Sequence, residues 1–217
     1  SPQDPPPPGL GDTGLEDYAD DLEDLIRSLP EPPVIIGHSM GGLLAQLLAE
    51  RGLGRAVVLL TPASPAGINA LKLSVIRSTL SIQSRWGFWS KPMRITFGEA
   101  CYGILNRLSP DAQRQAYATF VHESGRAAAE IGFWPFDINH ASSVREMRVT
   151  CPMLVVGAGE DRMTPAAVVR KVAEKYRKVA TYMEFPAQSH WILEEPGWEQ
   201  VAEAVEGWIR RQWPATS

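Results

Sequence analysis

The chain of 217 residues has few cysteines and no long hydrophobic run. Its two cysteines, Cys101 and Cys151, lie far apart and belong to no CxxC motif or Cys/His cluster, which argues against a disulfide scaffold and a structural zinc site. We expect both to be small buried apolar residues. Apolar runs such as residues 57–60 and 153–156 are far shorter than the roughly 20 residues that cross a bilayer, so we expect no membrane span.

The chain also lacks an excess of positive charge. Its 21 Lys and Arg residues stand against 25 Asp and Glu residues, for a formal net charge of −4. Such a chain has no broad cationic surface for the backbone of a nucleic acid. The acidic, proline-rich start, residues 1–12, lacks the positive and apolar regions of a secretory signal. We therefore expect a cytoplasmic protein that neither binds nucleic acid nor spans a membrane.

Short apolar runs alternate with amphipathic helical patterns in the first and last thirds of the chain. Because parallel strands need crossover connections, this alternation predicts an α/β fold with a mostly parallel sheet and flanking helices. Thr13 and Glu16 fit a capping box at the start of the first helix. The patterns predict strands over residues 34–37, 56–60, 153–156 and 181–185, and helices over residues 15–29, 40–51, 165–177 and 198–211.

Residues 68–146 have a different character, with helical patterns and no comparable buried strand. Of the seven Trp and six Phe residues of the chain, eight lie in this stretch. Ser109 before Pro110 is typical of a helix start. We expect an apolar-lined helical insertion here, with residues 1–67 and 147–217 forming the core of the domain.

The strongest local signal is the segment GHSMG at residues 37–41, which matches G-x-S-x-G between a predicted strand and a predicted helix. A serine at this tight turn exposes its hydroxyl at the sheet edge. Gly37 and Gly41 leave room for the strained backbone and for close packing. The Met40 N–H begins the helix and can donate to an oxyanion. The pattern predicts a nucleophilic Ser39, against the alternative of a small-residue turn without chemistry.

A serine hydroxyl needs a base that accepts its proton, and the sequence offers four histidines. His190 follows the last predicted strand, and ligands of parallel sheets bind at the carboxyl ends of the strands. His38 adjoins the serine, so its side chain is expected to point elsewhere. His122 and His140 lie in the insertion, where no strand end holds them. These placements favour His190 as the base.

The base in turn needs a carboxylate, and Asp161 follows the predicted strand at residues 153–156. A carboxylate beside the His190 loop can fix the tautomer of the imidazole and stabilise the imidazolium. Glu160 is the neighbour most able to compete for this role. The chain order is then Ser39, Asp161, His190, which is nucleophile, acid and base. This chemistry requires no cofactor or metal, and we expect neither.

Together these features resemble the α/β-hydrolase family, in its esterase and lipase-like branch. The resemblance covers essentially the whole chain, and GHSMGG at 37–42, GAGED at 157–161 and the Ser189-His190-Trp191 segment carry it. It implies transfer of an acyl group from an ester to water, with Ser39, His190 and Asp161 as a triad. It also implies a Met40 N–H in the oxyanion hole and a helical cap over the site at residues 68–146.

The aromatic residues of the insertion suggest a small-molecule ester with an apolar portion. The triad does not set the substrate, so a thioesterase, a lactonase or a cofactor-free haloperoxidase are alternatives on the same fold.

One departure from the family concerns the start of the chain. Family members carry further strands and a His-Gly loop, the source of a second oxyanion donor, before the position that corresponds to Ser1. The strand at residues 34–37 is then expected at a bare apolar edge, which promotes association with another chain. This departure leaves three alternatives open: the chain is a fragment, a second copy or a partner segment completes its sheet, or it is a minimal hydrolase. Loss of one oxyanion donor costs on the order of 100- to 1000-fold in rate, so a binding protein without a complete oxyanion hole is a second hypothesis.

Overall fold

The computed structural model describes residues 4–70 and 72–213. Its helices and strands alternate at both ends of the chain, as the sequence predicts. In chain order they are α1 (Leu15–Arg27), β1 (Val34–His38), α2 (Met40–Glu50), β2 (Ala56–Leu60), α3 (Leu73–Ser78), α4 (Leu80–Gln83), β3 (Pro92–Met93), α5 (Phe97–Gly103), α6 (Pro110–Ala118), β4 (Glu123–Ser124), α7 (Gly125–Gly132), β5 (Met153–Ala158), α8 (Ala166–Lys175), β6 (Ala180–Phe185) and α9 (Trp198–Gln212).

Four of these strands form one sheet in the order β1-β2-β5-β6, and every neighbouring pair is parallel. Helices connect the strands, because a parallel pair cannot be joined by a tight turn. The predicted α/β class with a mostly parallel sheet is therefore confirmed. Within the described residues β1 lies at one edge of this sheet, and the side chain of Ile36 on it is 54% exposed.

The two central strands, β2 and β5, are buried on both faces. Val57 and Val155 pack with α1, α2 and α8 on one face. Val58 and Val156 face the opposite way and pack with α9. Because successive side chains of a strand alternate between its faces, a fully apolar strand needs a helical layer on each side. This three-layer packing holds the carboxyl ends of the strands at one common edge.

The start of α1 differs from the prediction. The expected capping box of Thr13 and Glu16 is wrong: Gly14 precedes the helix and donates its N–H to Asp17 Oδ2 at 2.7 Å. The next free donor, the Leu15 N–H, bonds to Glu130 Oε2 of α7 at 2.7 Å. A helix leaves its first N–H groups without internal partners, so a buried carboxylate from a distant element can decide where the helix begins.

Residues 68–146 contain short helices and the antiparallel pair β3–β4, which joins Met93 to Glu123. The predicted helix start at Ser109 is confirmed, because its hydroxyl accepts a hydrogen bond from the Ala112 N–H at 3.3 Å. Part of the insertion, including Ala127, packs in the same hydrophobic cluster as α1 and α2. The role of this segment as a cap stays a prediction.

Cys101 and Cys151 are unpaired, and both are only partly buried, so the expectation of two buried cysteines is wrong. Cys101 lies within α5 of the insertion, and Cys151 lies just before β5, so neither is inside the central strands, where full burial occurs. Across residues 4–70 and 72–213, no helix is both long enough and apolar enough to cross a membrane.

Candidate active site

Ser39 occupies the sharp turn between β1 and α2, and its backbone has φ 54° and ψ −120°. A non-glycine residue rarely adopts a positive φ, and such strain costs on the order of 1–3 kcal/mol. The surroundings hold the turn in place. The Ser39 N–H donates to Leu60 O at 3.1 Å, and the Ser39 carbonyl accepts from the Ala63 N–H at 2.8 Å. The loop after β2 thus fixes the backbone of the predicted nucleophile.

Two glycines make this turn possible by close approach. A Cβ atom on Gly37 would collide with the Gly41 carbonyl oxygen, and one on Gly42 would lie 2.6 Å from Pro62 Cβ. A Cβ atom on Gly41 would meet nothing within 4 Å. The expectation that Gly41 itself leaves room for close packing is therefore wrong: in this turn the crowded positions are 37 and 42.

The structure brings the three predicted side chains into one hydrogen-bonded line. His190 Nε2 lies 2.9 Å from Ser39 Oγ, and His190 Nδ1 lies 2.8 Å from Asp161 Oδ2. Ser39 follows β1, Asp161 follows β5 and His190 follows β6, so all three lie at the carboxyl edge of the sheet. His190 is 2% exposed and Asp161 5% exposed, which keeps bulk water from their hydrogen bond.

Asp161 is held as an acceptor by several donors. Its Oδ1 accepts the N–H groups of Met163 and Thr164, each at 2.7 Å, and the Thr164 hydroxyl lies 2.8 Å from Oδ2. Burial alone would raise the pKa of Asp161. The facing His190 charge and the donors of His190 and Thr164 outweigh burial and hold this pKa below its usual value. Asp161 is therefore a carboxylate that can orient His190.

His38 contacts His190 from the other side, a specific partner that the sequence pattern did not indicate. Its Nε2 lies 2.7 Å from the carbonyl oxygen of His190, and a carbonyl only accepts, so Nε2 carries a proton. Burial, assisted by the neighbouring His190, lowers the pKa of His38 to about 4. The imidazole of His38 is thus neutral near pH 7 and anchors the backbone of the loop that carries His190.

A profile of the alpha/beta hydrolase family matches residues 4–204 of this sequence. The chain belongs to the α/β-hydrolase family. The family resemblance expected from the GHSMGG, GAGED and Ser189-His190-Trp191 segments is confirmed.

Known proteins of this family are similar to the chain over most of its length. The monoacylglycerol lipase of Mycolicibacterium smegmatis is 24% identical over 214 residues, which cover 90% of this chain and 70% of that protein. The crystal structure of the Paleococcus ferrophilus monoacylglycerol lipase superimposes with a TM-score of 0.64 at 24% identity, covering 92% of this chain and 76% of that one. A thermophilic esterase from Thermogutta terrifontis gives a TM-score of 0.61 at 22% identity, covering 91% and 72%. At these identities the structural likeness shows the α/β-hydrolase fold.

The alternatives to Asp161 and His190 do not join the hydrogen-bonded line of this α/β-hydrolase site. Glu160, the competing carboxylate, forms an ion pair with Arg107 at 3.0 Å. His122 and His140 lie in the insertion, and His140 is exposed. Glu160, His122 and His140 therefore lie outside the line of Ser39, His190 and Asp161.

The insertion reaches the site through an aromatic contact. The ring of Trp191, which follows His190, lies 5.6 Å from the ring of Phe120 and 6.4 Å from that of His38, centroid to centroid. Phe120 in turn contacts Tyr117 of α6 at 5.5 Å. In this α/β hydrolase, residues of the insertion thus lie beside the loop that carries His190.

Proposed function

We propose that the chain is a serine hydrolase that cleaves carboxylic esters. The observation that carries this proposal is the unbroken line of Ser39 Oγ, His190 and Asp161, with hydrogen-bond distances of 2.9 and 2.8 Å. In it Ser39 is the nucleophile, His190 the base and later the acid, and Asp161 the group that orients the imidazole. The strained backbone of Ser39 at the strand-to-helix turn supports the same assignment.

The geometry supports a two-step reaction through an acyl-enzyme. Ser39 Oγ attacks the carbonyl carbon of the ester while His190 Nε2 accepts the hydroxyl proton, and Asp161 stabilises the imidazolium. The negative charge that develops on the carbonyl oxygen faces the Met40 N–H, a first-turn donor of α2 with no acceptor inside its helix. His190 then donates this proton to the leaving alcohol as the ester C–O bond breaks, which leaves the acyl group on Ser39 Oγ. In the second step His190 accepts a proton from a water molecule that attacks the acyl carbon, and it returns this proton to Ser39 Oγ as the Oγ–acyl bond breaks and the acid leaves.

The proposed substrate is a small-molecule ester with an apolar acyl or alkyl portion. The aromatic side chains of the insertion support this class, since we propose that residues 68–146 act as a cap over the site. Two of the similar proteins are named monoacylglycerol lipases, which supports including monoacylglycerols among the test substrates. A cytoplasmic location and a second copy or partner segment along β1 stay predictions.

The test compares Ser39→Ala with a control that removes an exposed serine of the insertion, Ser84→Ala. We expect Ser39→Ala to lose turnover of p-nitrophenyl and monoacylglycerol esters by about 10³-fold or more, and Ser84→Ala to match the unmodified chain. A fluorophosphonate should label Ser39, as located by mass spectrometry. An unchanged rate in Ser39→Ala would rule out this mechanism. A folded chain that neither turns over esters nor reacts with the fluorophosphonate would support the binding-protein hypothesis.

The same assay distinguishes the activities that share the fold. The kcat/KM values for an ester, a thioester and a lactone of matched acyl chain rank these activities directly, because kcat/KM measures differential binding of their transition states. We expect the ester to give the highest value.

A further inference from the structure

A second buried carboxylate, Glu195, lies close to the base and has no part in the proposed triad. Its side chain is fully buried, and both of its oxygens accept hydrogen bonds from the residue that precedes His190. Oε1 accepts the Ser189 N–H, and Oε2 accepts the Ser189 hydroxyl at 2.5 Å. Ser189 is itself fully buried. Both Glu195 oxygens are therefore bonded to Ser189, within the loop that carries His190.

Burying a carboxylate is costly, because the charged form loses its water. Burial raises the pKa of the Glu195 carboxyl above its usual value, while the Ser189 donors and the charge of Arg107 oppose that shift. An apolar side chain at this position would avoid the cost, but it would leave the buried N–H and hydroxyl of Ser189 without these acceptors.

The loop around the base is anchored on both sides of His190. Glu195 holds the N–H and side chain of Ser189, and the His38 imidazole holds the His190 carbonyl at 2.7 Å. One residue earlier, the Gln188 carbonyl accepts the Glu160 N–H at 2.9 Å, which ties the loop to the segment of the acid. Hydrogen bonds thus restrain the backbone at three consecutive residues, 188–190, which limits how far the His190 imidazole can move.

Glu195 is in turn tied to a rigid element. Its N–H donates to the Trp191 carbonyl at 3.2 Å, and its own carbonyl accepts the Trp198 N–H at 3.0 Å at the start of α9. Glu195 therefore links the loop that carries His190 to α9, a helix that packs on the sheet.

We propose that Glu195, acting through Ser189, is a positioning residue that sets the direction of the His190 imidazole toward Ser39. The inference rests on the proposed function, because its effect on rate requires His190 to be the base. Displacing a reacting group by about 1 Å costs on the order of 100-fold in rate.

The first experiment compares Glu195→Gln and Ser189→Ala with the control Glu194→Gln, which changes an exposed carboxylate that accepts a hydrogen bond from the Trp191 indole N–H. Glu195→Gln places an amide N–H₂ opposite a Ser189 donor. We expect it to lower kcat for a p-nitrophenyl ester about 10- to 100-fold with KM within about twofold, because proton transfer suffers and ester binding does not. Ser189→Ala removes one donor and should lower kcat less, by about 3- to 10-fold. Glu194→Gln should leave kcat unchanged.

The second experiment needs no turnover. The proton on His190 Nδ1, hydrogen-bonded to Asp161, is expected as a downfield ¹H NMR resonance, assigned by its loss in His190→Gln. We expect this resonance to shift or broaden in Glu195→Gln and Ser189→Ala and to keep its position in Glu194→Gln. If the unmodified chain neither hydrolyses esters nor reacts with a fluorophosphonate, the proposed function fails, but this resonance still tests the positioning.

The proposal is overturned if Glu195→Gln, folded by circular dichroism, keeps the kcat and the resonance of the unmodified chain. Should Glu195→Gln fail to fold, Ser189→Ala decides, because it keeps the buried carboxylate and the backbone donor. An unchanged resonance and kcat in folded Ser189→Ala would then overturn the proposal. A loss of thermal stability with unchanged kcat and resonance would show a purely structural role, which also overturns it.

Discussion

The carboxyl edge of the sheet and the insertion at residues 68–146 differ in how their side chains are held. At the sheet edge, Asp161 and His190 are almost fully buried, and several hydrogen bonds fix each of them. In the insertion, the large apolar side chains of Trp86, Phe136 and Ile138 are more than 80% exposed, at 86%, 83% and 89%. The proposed chemistry thus lies where packing fixes the geometry, and the segment proposed to select the substrate lies where side chains can vary.

Residues of the insertion contact the loops that carry His190 and Asp161. Phe120 packs on Trp191, Arg107 pairs with Glu160 at 3.0 Å, and the Arg162 guanidinium lies 4.7 Å from the centre of the Tyr102 ring. Exposed ion pairs contribute little to stability. Changes at the sheet edge should therefore affect turnover of every ester, and changes in the insertion should affect the preference among esters.

The largest effect is expected for Asp161→Asn at the sheet edge. An amide nitrogen cannot accept the His190 Nδ1 proton, so the imidazole loses its oriented tautomer, and kcat should fall on the order of 10³- to 10⁴-fold for all esters. Steady-state kinetics on short and long esters measure this. Glu160→Gln is the matched control and should change kcat by no more than about twofold. A loss below tenfold in Asp161→Asn would contradict the assigned role.

Next in size is the difference between two glycines of the same turn. Gly37→Ala forces a Cβ atom into the Gly41 carbonyl and should destabilise the fold by more than about 3 kcal/mol. Gly41→Ala meets no atom and lies in α2, where alanine favours the helix, so stability should be unchanged or higher by about 0.5–1 kcal/mol. Urea unfolding measures both. Equal losses in the two variants would refute the assignment of the crowded position.

A smaller effect concerns the pH dependence of stability at the sheet edge. The pKa of His38 falls from 6.5 to about 4 on folding, so between these pH values the unfolded chain binds a proton that the folded chain does not. Stability should therefore fall as the pH drops through this window, by up to about 3 kcal/mol from this group. The lowered pKa of Asp161 adds a loss only below its ordinary value of about 4.

Urea unfolding at several pH values checks this expectation in His38→Gln, which keeps a side-chain N–H donor for the His190 carbonyl. The variant should show a flatter dependence of unfolding free energy on pH between 6.5 and 4. Ser84→Ala, a change of an exposed, non-titrating residue in the insertion, serves as the control and should retain the original slope. If His38→Gln showed the same dependence of unfolding free energy on pH as the unmodified chain, the His38 imidazole would not be the group responsible for the loss of stability between pH 6.5 and 4.

The smallest effect is expected in the insertion, for Phe120→Ala. Removing this ring opens space beside Trp191, so kcat/KM for long-chain relative to short-chain p-nitrophenyl esters should fall about threefold, while kcat for the short ester stays unchanged. Phe136→Ala removes a ring that is 83% exposed and should leave the ratio as it was. A uniform loss on all esters in Phe120→Ala would instead place this ring in the support of the base.

Much of the site follows from local patterns in the sequence. The strands before Ser39 and Asp161 were recognisable by short apolar runs, and the strand before His190 by its place after a helical pattern. Parallel strands place their carboxyl ends at one edge, although the two outer strands, β1 and β6, are only partly buried. Burial could not be predicted as well for Cys101 and Cys151, because a cysteine is apolar enough for the core yet small enough to be tolerated at partly exposed positions.

Other features depend on residues that the chain places far apart. The start of α1 is decided by Glu130, which lies 115 positions from its partner Leu15. The crowding at Gly42 comes from Pro62 of another loop, and His38 finds its acceptor on His190, 152 positions away. None of these partners is visible in a local pattern, because spacing reports which face a residue shares with its neighbours and not what packs against that face.

The sequence by itself determined the order of the four parallel strands and their connecting helices, the turn that holds Ser39, and the candidates Asp161 and His190 for the acid and the base, because each is set by periodicity or by position after a strand. Only the tertiary structure decided how the imidazole is held. Glu195 holds it through Ser189, and His38 holds it through the His190 carbonyl. These hydrogen bonds require their atoms to lie within about 3 Å of each other, and this happens only when β1, β6 and the loop before α9 pack together.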